Sequence, residues 1–318
     1  MPRQRRVLSA ACLALAVLCA ACTGPGNHGS HPPTTGHTDA TITVGSFDFP
    51  ESVLLAHIYA GALAAKGFPV RVLPDLGTRE LVDPALMNGV IQIVPEYTGS
   101  ALDFLSLGRQ AATSNAAETY RALTRSAERR GLVAAQPAPA QDANAIVVTS
   151  ATAARYHLRS IADLLKAAPR LVFGGPPECR ERADCFLGLK RVYGLRFKTF
   201  VATDTGGPVT LQALDAGQIG AALLFTTDPG IAAKHLVILT DSRALQPAEN
   251  IAPLVRRSTI ERYGPRLLAT LNAVSAHLDT DTLRYLNGRV QLHGVNPRTV
   301  AGDWLRAQAL ISGRQDVP

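Results

Sequence analysis

The chain has 318 residues, of which 47% are hydrophobic and 18% charged, and it carries a formal net charge of +7. That length suits two domains better than one core, and the balance of apolar to charged residues excludes both a disordered chain and a membrane-embedded one. No dense Lys/Arg stripe with interleaved aromatics occurs, which argues against a nucleic-acid partner.

The first 21 residues read as a targeting signal rather than as fold. Arg3, Arg5 and Arg6 form a basic start, and the apolar run that follows is too short to span a bilayer. The run closes with Ala20 and Ala21 before Cys22, small residues ahead of a cysteine that resemble a bacterial lipobox. Cys22 is therefore expected to be the lipidated first residue of an exported chain held at the outer face of the cell membrane. Loss of the signal removes three arginines and no acids, lowering the formal charge from +7 to +4. Residues 22–40, rich in Gly, Pro, Ser, Thr and His, read as a flexible tether.

From residue 41 the pattern is that of an α/β fold. A strand over 41–45 leads into Ser46-Phe47-Asp48-Phe49, and Pro50 sits at the entry of a helix ending near Gly67. A strand over 70–73 and a helix ending at Asn88 follow, with Gly89 placed where a helix C-cap needs positive φ. The apolar run 90–94 predicts a buried strand, and Tyr97 and Thr98 fall at its carboxyl end, where open α/β sheets place ligands. An amphipathic helix is predicted over 115–130, and the Pro-containing segment 136–140 breaks the pattern before a strand beginning near Ala145.

The second half repeats the first. Ser160 predicts the cap of a helix through Ala168, a strand over 171–174 opens a Gly-Gly-Pro-Pro loop, and the stretch 213–228 copies 85–100. An offset of 128 places Gly89 on Gly217, Tyr97 on Phe225 and Thr98 on Thr226. Each half thus offers an aromatic and a threonine at an equivalent strand end, the pattern of two lobes facing across a cleft. The expected division is 41–143 for the first lobe, 144–249 for the second, and 250–318 for a return to the first, ending in four helices with Trp304 packed on the last. Once the signal is removed, three cysteines remain. With lipid on Cys22, Cys179 and Cys185 are left to pair in an oxidising exterior, stapling a short charged surface loop. Their spacing, without further Cys or a nearby His, is a poor zinc site, and no metal or other cofactor is expected.

No phosphate-binding loop, dinucleotide fingerprint, zinc-protease helix or nucleophile elbow occurs. Asp48, Glu51, Asp75 and Glu96 all fall near predicted strand ends. They could form an acid/base pair, or else cap helix starts and bind a lobe partner; the residues alone leave both open.

The blocks TITVGSFDFPES, LMNGVIQIVPEYTGSAL, GPPE with GLKRVYGL, FTTDPGI before HLVIL, and NIAPLV carry a resemblance over residues 41–310. In order and spacing they resemble the substrate-binding proteins of osmoprotectant ABC transporters, the glycine betaine, carnitine and choline (ProX/OpuC-like) family. The resemblance implies a type II periplasmic-binding-protein fold, with two lobes, two crossing segments and a ligand in the cleft. It implies a monomeric, non-enzymatic receptor that passes a small solute to a permease and ATPase on other chains. In such proteins an aromatic cage surrounds the trimethylammonium group by cation–π attraction. By this resemblance Tyr97 stands at a cage tyrosine, and Phe225 stands at another, keeping the ring and losing the hydroxyl. Asn144 and Glu249 occupy the other two aromatic positions, and Ser46, Asp48, Thr98 and Thr226 add polar groups. A quaternary-ammonium solute is the leading expectation. A neutral or polyhydroxylated molecule held by Asn144, Thr226 and Glu249 is the alternative, and an enzyme on the same fold a remote third.

Overall fold

The computed structural model describes residues 41–109, 112–204, 206–313 and 317–318. The targeting signal, the tether and Cys22 lie outside the described residues. The chain opens with β1 (Ile42–Gly45), α1 (Pro50–Ala65), β2 (Val70–Leu73), α2 (Arg79–Asn88), β3 (Ile93–Tyr97), α3 (Thr98–Ser106), α4 (Ala116–Glu128) and β4 (Leu132–Ala134). A second series runs β5 (Asn144–Thr149), α5 (Ser150–Tyr156), α6 (Leu164–Ala167), β6 (Val172–Gly175), α7 (Phe186–Tyr193), β7 (Thr199–Ala202), α8 (Pro208–Asp215), β8 (Ala221–Phe225), α9 (Pro229–Ala233) and β9 (Leu236–Ile238). The chain then returns through β10 (Ile251–Arg256) to α10 (Arg257–Tyr263), α11 (Pro265–Ala276), α12 (Thr280–Gln291) and α13 (Pro297–Ala307).

These elements build two five-stranded sheets of the same design, ordered β2-β1-β3-β10-β4 and β7-β6-β8-β5-β9. In each, three parallel strands are followed by one antiparallel strand that arrives from a crossing segment: β10 on β3, and β5 on β8. The sequence duplication is therefore a duplication of sheet topology, and Tyr97 and Phe225 each end the central strand of a sheet. The crossing strands also show why the second core has two halves. Along β5, Ile146 and Val148 enter one apolar cluster while Ala145 and Val147 enter another, the two-residue alternation of a sheet covered on both faces.

In the first lobe, α1 starts at Pro50, whose fixed φ suits the first helical position and whose missing N–H costs nothing there. The helix is apolar almost all round, as one packed between the sheet and α11 and α13 must be. Trp304 is buried in this same core. Among the described residues no helix is long and apolar enough to cross a membrane.

Two predicted elements differ. The strand expected over 90–94 begins instead at Ile93, and Val90 is 58% exposed. Val90 N–H closes the end of α2 on the Ala85 carbonyl, while Ile91 fills a notch beside Gly45, where a Cβ would lie 2.6 Å from Ile91 Cδ1. The helix expected from Ser160 to Ala168 is broken into a 3-10 turn, the single turn of α6, and a second 3-10 turn containing Pro169.

Candidate ligand-binding cleft

The carboxyl ends of the parallel strands converge on a cavity of about 380 Å3. The first sheet's side contributes Phe49, Glu51, Arg79, Tyr97 and Ser100. The second contributes Asn144, Arg182, Asp184, Phe225 and Asp228, and Asp142 and Glu249 come from the crossing segments.

Three rings gather on the first side. Phe47 and Phe49 stack with centroids 5.8 Å apart, and Tyr97 lies 6.0 Å from Phe49. Phe47 is buried behind the wall, with the Arg79 guanidinium 5.1 Å from its centroid, so Phe49 and Tyr97 are the rings of this cluster that line the cavity. Across from them Phe225 pairs in register with Asn144 on β5. The Asn144 amide donates to Asp184 Oδ2 at 3.1 Å.

Carboxylates outnumber cations around this space, with five acids against Arg79 and Arg182. Arg79 is already engaged, donating twice to buried Glu96 at 2.8 and 3.1 Å. Glu51 accepts from the Tyr97 hydroxyl at 2.8 Å and from Asn287 Nδ2 at 2.5 Å, and burial raises its pKa. Asp142, which accepts from the Thr227 hydroxyl at 2.6 Å, is pushed well above its usual range by burial and then by Glu51. Glu249 accepts from Gly99 N–H, Ser100 N–H and the Ser100 hydroxyl at the start of α3, yet burial pushes it up to about 7. Asp228 accepts from Gly230 N–H at 2.7 Å and is raised by burial to about 6.

Tyr97, Phe225, Asn144 and Glu249, expected from the sequence, all line the cavity. Ser46, Asp48, Thr98 and Thr226 do not. Ser46 is fully buried in a turn, its hydroxyl donating to the Phe47 carbonyl and accepting from Asp75 N–H. Asp48 is exposed outside the cavity wall. Thr98 bridges the Ala248 carbonyl and Asn250 N–H, and Thr226 bridges the Gln141 carbonyl and Ala143 N–H. Both hydroxyls are spent on holding the crossing segments. Sequence reasoning passed over Phe49, Arg79, Asp142, Arg182, Asp184 and Asn287 as site residues. Phe49 had a signal, an aromatic directly before a helix-starting proline at a strand end. Asp142 and Asn287 had none, since they reach the site only through tertiary packing.

Two α/β sheets of matching topology, joined by two crossing segments and enclosing a cleft of rings and carboxylates, define a type II periplasmic-binding-protein fold. Residues 40–307 match the family model for the substrate binding domain of ABC-type glycine betaine transport systems, and the chain belongs to this family of solute-binding proteins, which are not enzymes. It is similar to the glycine betaine-binding protein YehZ of Escherichia coli (strain K12), with 31% identity over 274 residues covering 83% of this chain and 90% of that one. It is also similar to a glycine-betaine-binding protein of Pseudomonas aeruginosa, with 28% identity covering 86% of this chain and 90% of that one. A crystal structure of a glycine betaine/carnitine/choline ABC transporter superposes with a TM-score of 0.77 at 22% identity, covering 85% of this chain and all of that chain.

Proposed function

We propose that this protein is the extracytoplasmic receptor of an ABC importer and that its cleft takes a small quaternary-ammonium solute, with a zwitterionic betaine the best fit. The observation that carries this reading is the pairing of ring faces, Phe49 and Tyr97 opposite Phe225's strand end, with a surplus of acids around one cavity. A trimethylammonium group is large, apolar at its surface and positively charged, so it suits ring faces and carboxylates together. A neutral or polyhydroxylated solute would draw only hydrogen bonds from these acids and would leave the rings without a cation. Arg182 also lines the cavity and, with 60% of its side chain exposed, is available to a ligand carboxylate. The names of the relatives support the same class of solute. Delivery to a permease and ATPase on other chains follows from the family's place in such transporters.

Calorimetric titration with glycine betaine, choline, carnitine and a neutral sugar tests the reading. Saturable binding of a quaternary ammonium compound, with the sugar silent, is the expected result. A protein that binds the sugar and none of the cations would refute it. Anchoring through Cys22 is part of the same proposal, motivated by the Ala-Ala-Cys ending of the apolar run. Cys22→Ser expressed in a host that processes lipoproteins should move from the membrane to the soluble fraction; unchanged membrane association would end that idea.

A further inference from the structure

The loop closed by Cys179 and Cys185 reaches the cleft. Both cysteines are fully buried in the second lobe's core and are disulfide-bonded, with Cα atoms 5.2 Å apart. Between them the backbone turns tightly, Arg182 N–H donating to the Cys179 carbonyl and Cys185 N–H to that of Arg182. Two residues of this loop, Arg182 and Asp184, line the cavity. The loop is held in two further ways. Gly188 of α7 leaves a notch for the Ala183 carbonyl, since a Cβ there would sit 1.9 Å from that oxygen. The Asn144 amide, next to Phe225 in the sheet, holds the Asp184 carboxylate. Arg182 itself is held loosely, its ion pair with Glu178 being 3.8 Å long. Its position at the cavity is therefore set by the backbone beneath it.

A ring this short removes less entropy from the unfolded chain than a long one, but enough that the bond adds stability as well as fixing the loop. We propose that the Cys179–Cys185 disulfide is a positioning element of the ligand site, fixing the loop so that Arg182 meets the carboxylate of a zwitterionic solute. The rings and acids of the cleft then take the solute's cationic end. This rests on the solute class proposed above. A bond with only a structural role would raise the melting temperature and leave discrimination between solutes unchanged.

The test compares the parent protein with Cys179→Ser/Cys185→Ser and, separately, with Gly188→Ala, which displaces the loop while keeping the disulfide. Each is titrated with glycine betaine, which has a carboxylate, and with choline, which has none. Hydrogen exchange is followed over residues 180–185. In both variants affinity for glycine betaine should fall about tenfold, the scale of one lost charge-assisted hydrogen bond, while choline binding changes by less than about twofold. Loop exchange in the double variant should quicken with the rest of the second lobe unchanged. Parent-like discrimination in the double variant would overturn the proposal, whatever its loop exchange. If the parent binds neither compound, the solute class fails and this proposal falls with it. If the double variant does not fold, Gly188→Ala decides it.

Discussion

Tyr97 serves the cleft twice, offering a ring beside Phe49 and a hydroxyl that holds Glu51. Phe225 has the ring alone, packed where a Cβ on Gly206 would come within 3.1 Å of it. Tyr97→Ala and Phe225→Ala should each weaken binding of a quaternary ammonium solute by about 1–2 kcal/mol in calorimetry, through loss of a cation–π face. Phe225→Tyr should cost little. Should Phe225→Ala bind like the parent while its melting temperature drops, that ring belongs to packing alone. The buried acids make a second prediction, in which stability and affinity have opposite signs. Folding raises the pKa of Glu249 from 4.5 to about 7 through burial, so the proton is bound more tightly in the folded state. The stability this confers is complete below pH 4.5 and lost as pH rises through about 7. Asp228, raised from 3.8 to about 6, and Glu51 and Asp142, both raised, act in the same direction. The unliganded protein should therefore melt higher at about pH 5 than at about pH 8, and Glu249→Gln should flatten the slope. A cation prefers the ionised acids, so its affinity should rise as pH climbs through the same interval. Constant affinity across it would mean that the acids do not act on the ligand.

At the scale of elements, the repeat explains why some of the fold was legible and some was not. Glycine stops, proline starts and the paired strand ends could be read because each is a local requirement of backbone geometry. Gly89 and Gly217, for example, have φ of 84° and 67° at equivalent helix ends. The strand before Tyr97 was misplaced because Ile91 is apolar to fill a notch, while Val90 closes α2 with its backbone N–H and leaves its side chain exposed. An apolar run does not distinguish these uses. The notch is itself repeated: a Cβ on Gly174 would lie 2.4 Å from Ile219 Cδ1, as one on Gly45 would crowd Ile91. Gly45→Val and Gly174→Val should each destabilise their lobe by about 1–3 kcal/mol in urea unfolding, by overpacking. From the residues alone the site was legible only where one ended a repeated strand, at Tyr97 and Phe225; Asn144 and Glu249 came through the family resemblance. Arg182 and Asp184 looked like a solvated loop, because nothing local says which way a stapled loop faces.

Among the described residues, the two lobes are tied together beside the cleft by α12. Arg284 donates to the Thr226 carbonyl at 2.9 and 2.6 Å, and Asn287 donates to both Glu51 and the Thr227 carbonyl. Asn287→Leu, which keeps the volume and removes the donor, should destabilise the protein by about 1–3 kcal/mol in urea unfolding by leaving a buried carboxylate short of a partner. An unchanged unfolding midpoint would show that this tie carries no weight. The crossing segments have a further consequence. They lie side by side, Asp142 N–H bonded to the Glu249 carbonyl at 3.0 Å and Gln141 bridged to Asn250. A ribbon of two chains tied edge to edge flexes readily across its width and resists shear in its own plane. Lobes joined by such a ribbon are expected to swing like a book on its spine more easily than they slide past each other. On the proposed reading, a hinge of this kind would bring the Tyr97 and Phe225 strand ends onto a solute in one register.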